Sequence, residues 1–230
     1  MTALIAQADE PLVRWGWVGD HLDDVWVRTV EHVQLTVVAI AIGFVISALL
    51  AAVAIRFRRT FGPITWFAGI LYTIPSLALF GFLIPYTGLG FVTAEIALVS
   101  YTILILVRNI VAGIEGVPAS VREAADGMGY TRTRRMISVE LPLAAPTIIA
   151  GIRIATVTVV GLVTVTVLVG AGGYGVFIND GLNRSFPTPI VLGALLSIAL
   201  AVAVDAAFAL LGWLVTPWER RTRRRKGGAS

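Results

Sequence analysis

Residues able to do chemistry are sparse in this sequence, and the most suggestive spacing among them is a run of glycines. Gly170, Gly172 and Gly175 form the pattern G-x-G-x-x-G, which in dinucleotide-binding proteins brings the backbone close to a pyrophosphate. That function requires a strand before the glycines, a helix after them and an acidic residue about twenty residues further on. Here the glycines follow a long apolar segment instead, so we predict tight turns rather than a nucleotide site.

Other catalytic and ligand-binding groups are equally scarce. The only lysine, Lys226, lies in the carboxyl-terminal tail, so the phosphate-binding pattern G-x-x-x-x-G-K-[ST] is absent from the sequence. There are no cysteines, which excludes disulfides and thiol catalysis. The two histidines, His21 and His32, lack companions for a metal site and are interpreted as ordinary interfacial residues. We expect neither a catalytic residue nor a metal on this chain.

Two charges, Arg153 and Asp205, lie inside long apolar segments. A charge in lipid is costly, and its usual explanation is a functional or structural partner. One hypothesis is that the two side chains form an ion pair between the fourth and fifth spans. The alternative is that Arg153 extends to the interface while Asp205 faces a wet cavity.

The elements that position these residues are membrane spans. The chain has 230 residues, of which 57% are hydrophobic and only 14% charged, a composition typical of an all-α integral membrane protein. Five segments are long enough to cross a bilayer: 33–55, 64–84, 90–114, 146–169 and 189–215. The fourth is rich in threonine and valine, but an open strand leaves backbone groups unpaired in lipid, so a helix is predicted there as well.

The basic residues set the orientation of these spans. Arginines follow the first, third and fifth spans, whereas acidic residues dominate the other side. The positive-inside rule therefore predicts an external amino terminus and a cytoplasmic carboxyl terminus. Gly170, Gly172 and Gly173 then lie on the outer side, where they are candidates for an external gate. Pro75 and Pro85 are candidates for a helix break in or beside the second span, although proline is also tolerated in membrane helices.

The same topology divides the chain into three parts. Residues 1–32 are either an amphipathic helix on the outer interface or an extension of the first span. Residues 33–217 form the transmembrane domain, and residues 218–230 form a basic cytoplasmic tail attracted to anionic lipid. No nucleic-acid partner is predicted, because the basic residues sit where membrane topology places them.

The one large cytoplasmic loop, residues 115–142, carries the most specific pattern. Ser120 and Glu123 have the spacing of a capping box, which predicts a helix that Gly129 ends. A second, basic helix is predicted from about Thr131 to Leu141-Pro142, where the chain turns back into the bilayer. The result is a short helix–turn–helix lying along the membrane.

This loop resembles the EAA motif of bacterial ABC importer permeases, with Val139 in place of the usual isoleucine. The matching residues are Glu123, Ala124, Ala125, Gly129, Val139, Leu141 and Pro142. The resemblance implies a type I ABC importer permease fold and a coupling helix that docks on an ATPase subunit. It also implies a bacterial cell membrane location, a second permease subunit in a homo- or heterodimer, two cytoplasmic ATPase subunits and an external binding protein. ATP and Mg would be held by the ATPase, and no cofactor by this chain.

Four further stretches, 74–90, 107–117, 141–157 and 169–182, are similar to the osmoprotectant branch of that family. That branch implies a quaternary ammonium substrate, such as glycine betaine, choline or carnitine. Tyr72, Phe80 and Tyr101 offer aromatic faces to such a cation, but aromatics are common in membrane helices and the substrate-binding residues remain unassigned. One alternative is the same machinery for another small solute, such as an amino acid. A stand-alone secondary transporter is less consistent, because neither an inverted repeat nor a row of carboxylates is present.

Overall fold

The computed structural model describes residues 12–215, and every regular element in that range is helical. Residues 1–11 and 216–230, which include the whole of the predicted basic tail (218–230), lie outside the described residues. The helices are α1 (Trp15–Asp20), α2 (Leu22–Arg56), α3 (Phe61–Thr73), α4 (Ser76–Thr87), α5 (Phe91–Glu115), α6 (Ala119–Gly127), α7 (Arg132–Arg135), α8 (Leu141–Val163), α9 (Gly175–Arg184) and α10 (Pro187–Val215).

The predicted spans correspond to these helices. Four helical stretches of the described residues are long and apolar enough to cross a membrane, and the number is five if the bent pair of α3 and α4 is counted as one broken span. The threonine- and valine-rich fourth segment is helical, as predicted. Its hydroxyls are satisfied within the helix, because Thr156 donates to the Ile152 carbonyl at 2.7 Å and Thr158 to the Ile154 carbonyl at 2.8 Å.

The second predicted span is broken at Pro75. Helix α3 ends at Thr73, α4 begins at Ser76, and the two helices are bent by 96°. Ile74, which precedes the proline, is extended with φ −66° and ψ 127°, as the proline ring requires of its neighbour. Pro85, by contrast, lies inside α4 without ending it.

The amino-terminal segment follows the second of its two alternatives, whereas the start of the fourth segment differs from the prediction. Residues 22–32 extend the first span within α2, so the separate interfacial helix is reduced to the short α1. The predicted turn at Leu141-Pro142 is wrong, because α7, a π-helical turn (Met136–Glu140) and α8 form one continuous helix from Arg132 to Val163. Pro142 lies inside this continuous helix, just after the π-helical turn, and local π adjustments of this kind allow a membrane helix to accommodate a proline.

The described residues fall into two compact units, each with its own core. The first comprises residues up to Val38 together with Ser76–Ala97 and Val160–Ala201. Leu35, Phe80 and Val163 are buried in it. The Gly90 N–H donates to the Val169 carbonyl at 2.6 Å, which fixes the start of α5 to the 3-10 turn Thr166–Val169 that follows α8.

The second unit comprises Ala39–Pro75, Leu98–Val159 and the residues from Val202 onward. Its core joins the carboxyl-terminal half of α2 to α5 through Ala51, Ala54, Val107, Ile110 and Val111. Small residues allow close packing of its helices, as is usual in membranes. A Cβ at Gly113, for example, would lie 3.1 Å from the Ala144 carbonyl oxygen.

Candidate functional site

The segment that carries the predicted motif, called here the EAA segment (residues 119–142), begins with α6. Pro118 is the N-cap of this helix, and no side chain caps its first turn. The predicted capping box of Ser120 and Glu123 is therefore wrong. Helix α6 starts at Ala119, which places Ser120 inside the first turn, and the proline already fixes an extended conformation before it.

Gly129 ends the first helix as predicted. Its φ of +78° is in the left-handed region, which favours glycine at the end of a helix. The Gly129 N–H donates to the Asp126 carbonyl at 2.9 Å and the Tyr130 N–H to the Ala125 carbonyl at 3.1 Å. Thr131 then caps α7 by accepting from the Arg134 N–H at 3.3 Å.

A network of charges fastens the two helical pieces of the segment together. The Glu140 carboxylate is only 3% exposed, and it accepts from the Arg135 Nε at 2.8 Å. Arg135 also pairs with Asp126 at the end of α6, and the Arg122 Nε lies 3.5 Å from Glu140. Buried carboxylates need such partners. These four residues hold the local structure together, and none of them belongs to the predicted motif.

The motif residues occupy different environments. Glu123, Ala124 and Gly129 are exposed on the outer face of the turn, whereas Ala125 is only 1% exposed and packs inward. Val139 is half-buried, and Leu141 and Pro142 are exposed at the start of α8. Within the described part of the chain, Glu123 makes no ion pair. The EAA segment thus has satisfied internal charges and an outward face with a free carboxylate beside small residues.

The structure brings Arg153 and Asp205 together. The Arg153 Nε donates to Asp205 Oδ1 at 3.0 Å and its second nitrogen, Nη2, donates to Oδ2 at 2.7 Å, a bidentate geometry. Both side chains are partly exposed and border a cavity that Ala150, Ile154 and Val157 also line. The pair therefore joins α8 to α10 and faces open space at the same time.

The predicted gate glycines form a loop, called here the glycine loop (residues 170–174), which is fastened to α2. Gly170, Gly172 and Gly173 have φ values of +76°, +88° and +79°. The Gly173 N–H donates to Glu31 Oε2 at 2.9 Å, and the Tyr174 hydroxyl donates to Thr29 Oγ1 at 3.0 Å. Backbone and side chain of this loop are thus held by residues about 140 positions away.

His32 completes this attachment. Its imidazole is fully buried, and its Nδ1 accepts from the Tyr174 N–H at 3.2 Å while its Nε2 donates to the Val160 carbonyl at 3.0 Å. Its interpretation as an ordinary interfacial residue is therefore wrong. The histidine is a structural link, and sequence alone gave no signal of its two backbone partners.

Most of the chain matches a known protein family. Residues 35–216 match the family described as binding-protein-dependent transport system inner membrane component. The chain belongs to this family. It is accordingly an inner-membrane permease component of an ABC importer, and the family is one of transport permeases rather than of ATPases.

Curated relatives of the permease are named as osmoprotectant transport proteins. The choline transport system permease protein OpuBB of Bacillus subtilis is 37% identical over 83% of this chain and 88% of its own length. The glycine betaine/carnitine/choline transport system permease protein OpuCB of the same organism is 36% identical over the same shares. The osmoprotectant import permease protein OsmW of Salmonella typhimurium is 34% identical over 82% and 90%.

Solved structures support the fold of the permease. The MetNI methionine ABC transporter in an inward-facing conformation matches with a TM-score of 0.73, at 23% identity, over 84% of this chain and 98% of that chain. The permease therefore has the fold of a type I ABC importer permease.

Two of the three aromatic residues considered for a cation, Tyr72 and Tyr101, are in contact with each other. Phe80 is buried in the first unit. In the second unit, Tyr101 is 5% exposed and donates its hydroxyl to the Ile74 carbonyl at 2.5 Å, and Tyr72 meets its ring edge-on at 6.0 Å. Tyr101 thus satisfies the carbonyl that precedes the Pro75 break. Among the described residues, no group of three metal-ligating side chains is present.

Proposed function

We propose that this permease moves a quaternary ammonium osmolyte, of the glycine betaine, choline or carnitine type, inward across the bacterial cell membrane. An external binding protein delivers the solute, and two cytoplasmic ATPase subunits, which bind ATP and Mg, supply the energy. A second permease subunit, identical or different, completes the pathway. In this orientation the amino terminus is external and the EAA segment faces the cytoplasm.

The exposed face of the EAA segment carries this proposal. Two of the segment's arginines, Arg122 and Arg135, are directed at Glu140 and Asp126, and Glu123 stays free to meet a basic group on a partner. Ala124 and Gly129 leave room for the partner's backbone to approach closely, because neither has a bulky side chain. A surface that is exposed to solvent and contacts no partner protein would not require small residues beside a free carboxylate.

The continuous helix from Arg132 to Val163 provides the mechanical connection. Closure of the ATPase subunits around ATP displaces the EAA segment. Because no turn interrupts the chain at Leu141-Pro142, the displacement passes directly into α8 as a rigid-body movement. Arg153 lies on this helix and Asp205 on α10, so their bidentate ion pair transmits the movement to α10.

The glycine loop is proposed as part of the external gate. Its three left-handed residues shape a turn that non-glycine residues resist. Its bonds to Thr29, Glu31 and His32 hold the turn against α2. A gate held in this way moves with α2 rather than independently of it.

The choice of solute rests on the relatives, which are named for choline, carnitine and glycine betaine. The likeness to a methionine transporter concerns the fold alone, so nothing specific favours an amino acid. A different small solute would leave the assignment of the EAA segment to an ATPase unchanged.

Uptake by the assembled importer in proteoliposomes tests the proposal. Radiolabelled choline, glycine betaine and carnitine, with methionine as the comparison solute, are offered with and without the binding protein and ATP. We expect uptake of at least one quaternary ammonium compound that requires both components. Uptake of methionine alone would contradict the proposed substrate class. Uptake without ATP would contradict the proposal that ATPase subunits supply the energy.

A further inference from the structure

An apolar groove lies in the second unit, where the second half of the EAA segment meets the membrane-spanning helices α2 and α5. It encloses a volume of about 450 Å³ between the carboxyl-terminal half of α2, the end of α5 and the helix that begins at Arg132. Ala48, Ala52, Ile110, Met136 and Ile148 line it. Most of these residues belong to membrane-spanning helices, so the groove extends into the depth of the hydrocarbon.

Two arginines border the same groove. Arg56 ends α2 and Arg132 begins α7, and both side chains are exposed. Within residues 12–215 neither arginine forms an ion pair, although their neighbours do: Arg58 pairs with Glu115 at 3.1 Å and Arg135 with Glu140 at 2.8 Å. The groove therefore combines an apolar body with two uncompensated positive charges at its border.

This combination distinguishes between possible occupants. An ATPase subunit stays outside the bilayer and cannot fill a groove that runs along membrane-spanning helices. A second copy of the permease would cover the apolar surface, but its presence would not explain why two arginines without ion-pair partners border the groove. An anionic phospholipid supplies both complements, because its acyl chain is apolar and its phosphate is negative. Basic pockets between membrane helices are known to hold such headgroups.

We propose that the groove is a binding site for an anionic phospholipid, with the phosphate on Arg56 and Arg132 and an acyl chain along Ala52 and Ile148. The bound lipid contacts Arg132, Thr133 and Met136, which lead directly into α8. The site therefore places a lipid against the segment proposed to receive movement from the ATPase. Its occupancy does not depend on which solute the permease carries.

Lipid retention by the purified permease tests this site. The full chain, stripped of native lipid in mild detergent, is given phosphatidylglycerol or phosphatidylcholine, and retained lipid is counted by native mass spectrometry. We expect selective retention of phosphatidylglycerol. Equal retention of both lipids by the unaltered protein would overturn the proposal without any substitution.

A charge variant locates the headgroup. The double variant Arg56→Gln/Arg132→Gln should retain phosphatidylglycerol about 30-fold more weakly, roughly fivefold for each arginine near the surface. Arg59→Gln/Arg134→Gln makes the same charge change at two exposed residues that do not line the groove. An equal loss in this control would show a general charge effect and overturn the site.

A steric variant locates the acyl chain. Ala52→Phe fills the groove without changing charge, whereas Val53→Phe alters the next residue, which is 44% exposed but does not line the groove. We expect loss of phosphatidylglycerol only from Ala52→Phe. Unchanged retention by that variant, or release of the lipid when the ATPase subunit binds, would assign the groove to another occupant.

Discussion

The EAA segment and the glycine loop each contain a turn formed by glycines with positive φ. The two turns differ in how far along the sequence their stabilising contacts lie. In the EAA segment, Arg122, Asp126 and Arg135 meet Glu140 or one another within eighteen residues of chain. The glycine loop is held by Thr29, Glu31 and His32, about 140 residues away. The first region is a self-contained surface suited to a partner, and the second is an attachment within its own unit.

The strongest disruption is expected at Gly129. Gly129→Trp forces a bulky residue into a left-handed conformation, at a cost of about 1–2 kcal/mol, and places an indole on the face proposed for the ATPase. The variant should still insert in the membrane but lose ATPase stimulation by the binding protein. Gly129→Asn, which tolerates this conformation, is the control and should retain most of the stimulation. Full transport by the tryptophan variant would count against the coupling role.

The Arg153–Asp205 pair, like the contacts of the glycine loop, joins residues far apart in sequence, but this pair was one of the hypotheses from the sequence. Reversing either charge alone places like charges together and should strongly reduce uptake. The double variant Arg153→Asp/Asp205→Arg restores opposite charges and should regain a substantial part of it. Uptake and surface expression are measured together. A double variant no better than either single variant would remove the functional case for the pair.

Within the EAA segment, two glutamates should separate stability from coupling. Glu140→Gln leaves Arg122 and Arg135 near an uncharged, buried amide, so the melting temperature of the purified permease should fall by several degrees. Glu123→Gln removes the same charge from an exposed position and should leave the melting temperature unchanged while weakening ATPase stimulation. If Glu123→Gln lowered the melting temperature and Glu140→Gln weakened only ATPase stimulation, the roles assigned to the two glutamates would be wrong.

The smallest effect is expected in the glycine loop. Gly172→Ala requires a positive φ and places a Cβ against the Glu31 carboxylate, so it should destabilise the fold by about 1–2 kcal/mol. Gly161→Ala, in open space within α8, should be neutral or stabilise by about 0.5–1 kcal/mol. Thermal unfolding monitored by a fluorescent probe measures both. Equal behaviour of the two variants would show that the loop is not fastened as described.

Sequence predicted what depends on local composition and missed what depends on distant partners. The long apolar blocks predicted the membrane spans, Pro75 predicted the break between α3 and α4, and Gly129 predicted the end of α6. The continuous helix through Pro142 was missed, because a π-helical turn leaves no composition signal. The same limit applies to His32 and Glu140, whose roles follow from backbone and side-chain partners that only the fold brings near. Helix α9 was missed since its glycines and polar residues match no span.

Cross-linking from the outer face of the EAA segment shows whether this face contacts the ATPase subunit. The chain has no native cysteine, and Met128, at the carboxyl-terminal end of α6, is 66% exposed. Met128→Cys, carrying a photoactivatable probe, should cross-link to the ATPase subunit in the assembled importer and should be labelled only from the cytoplasmic side. Labelling from the external side, or cross-links to the binding protein in place of the ATPase, would contradict the account.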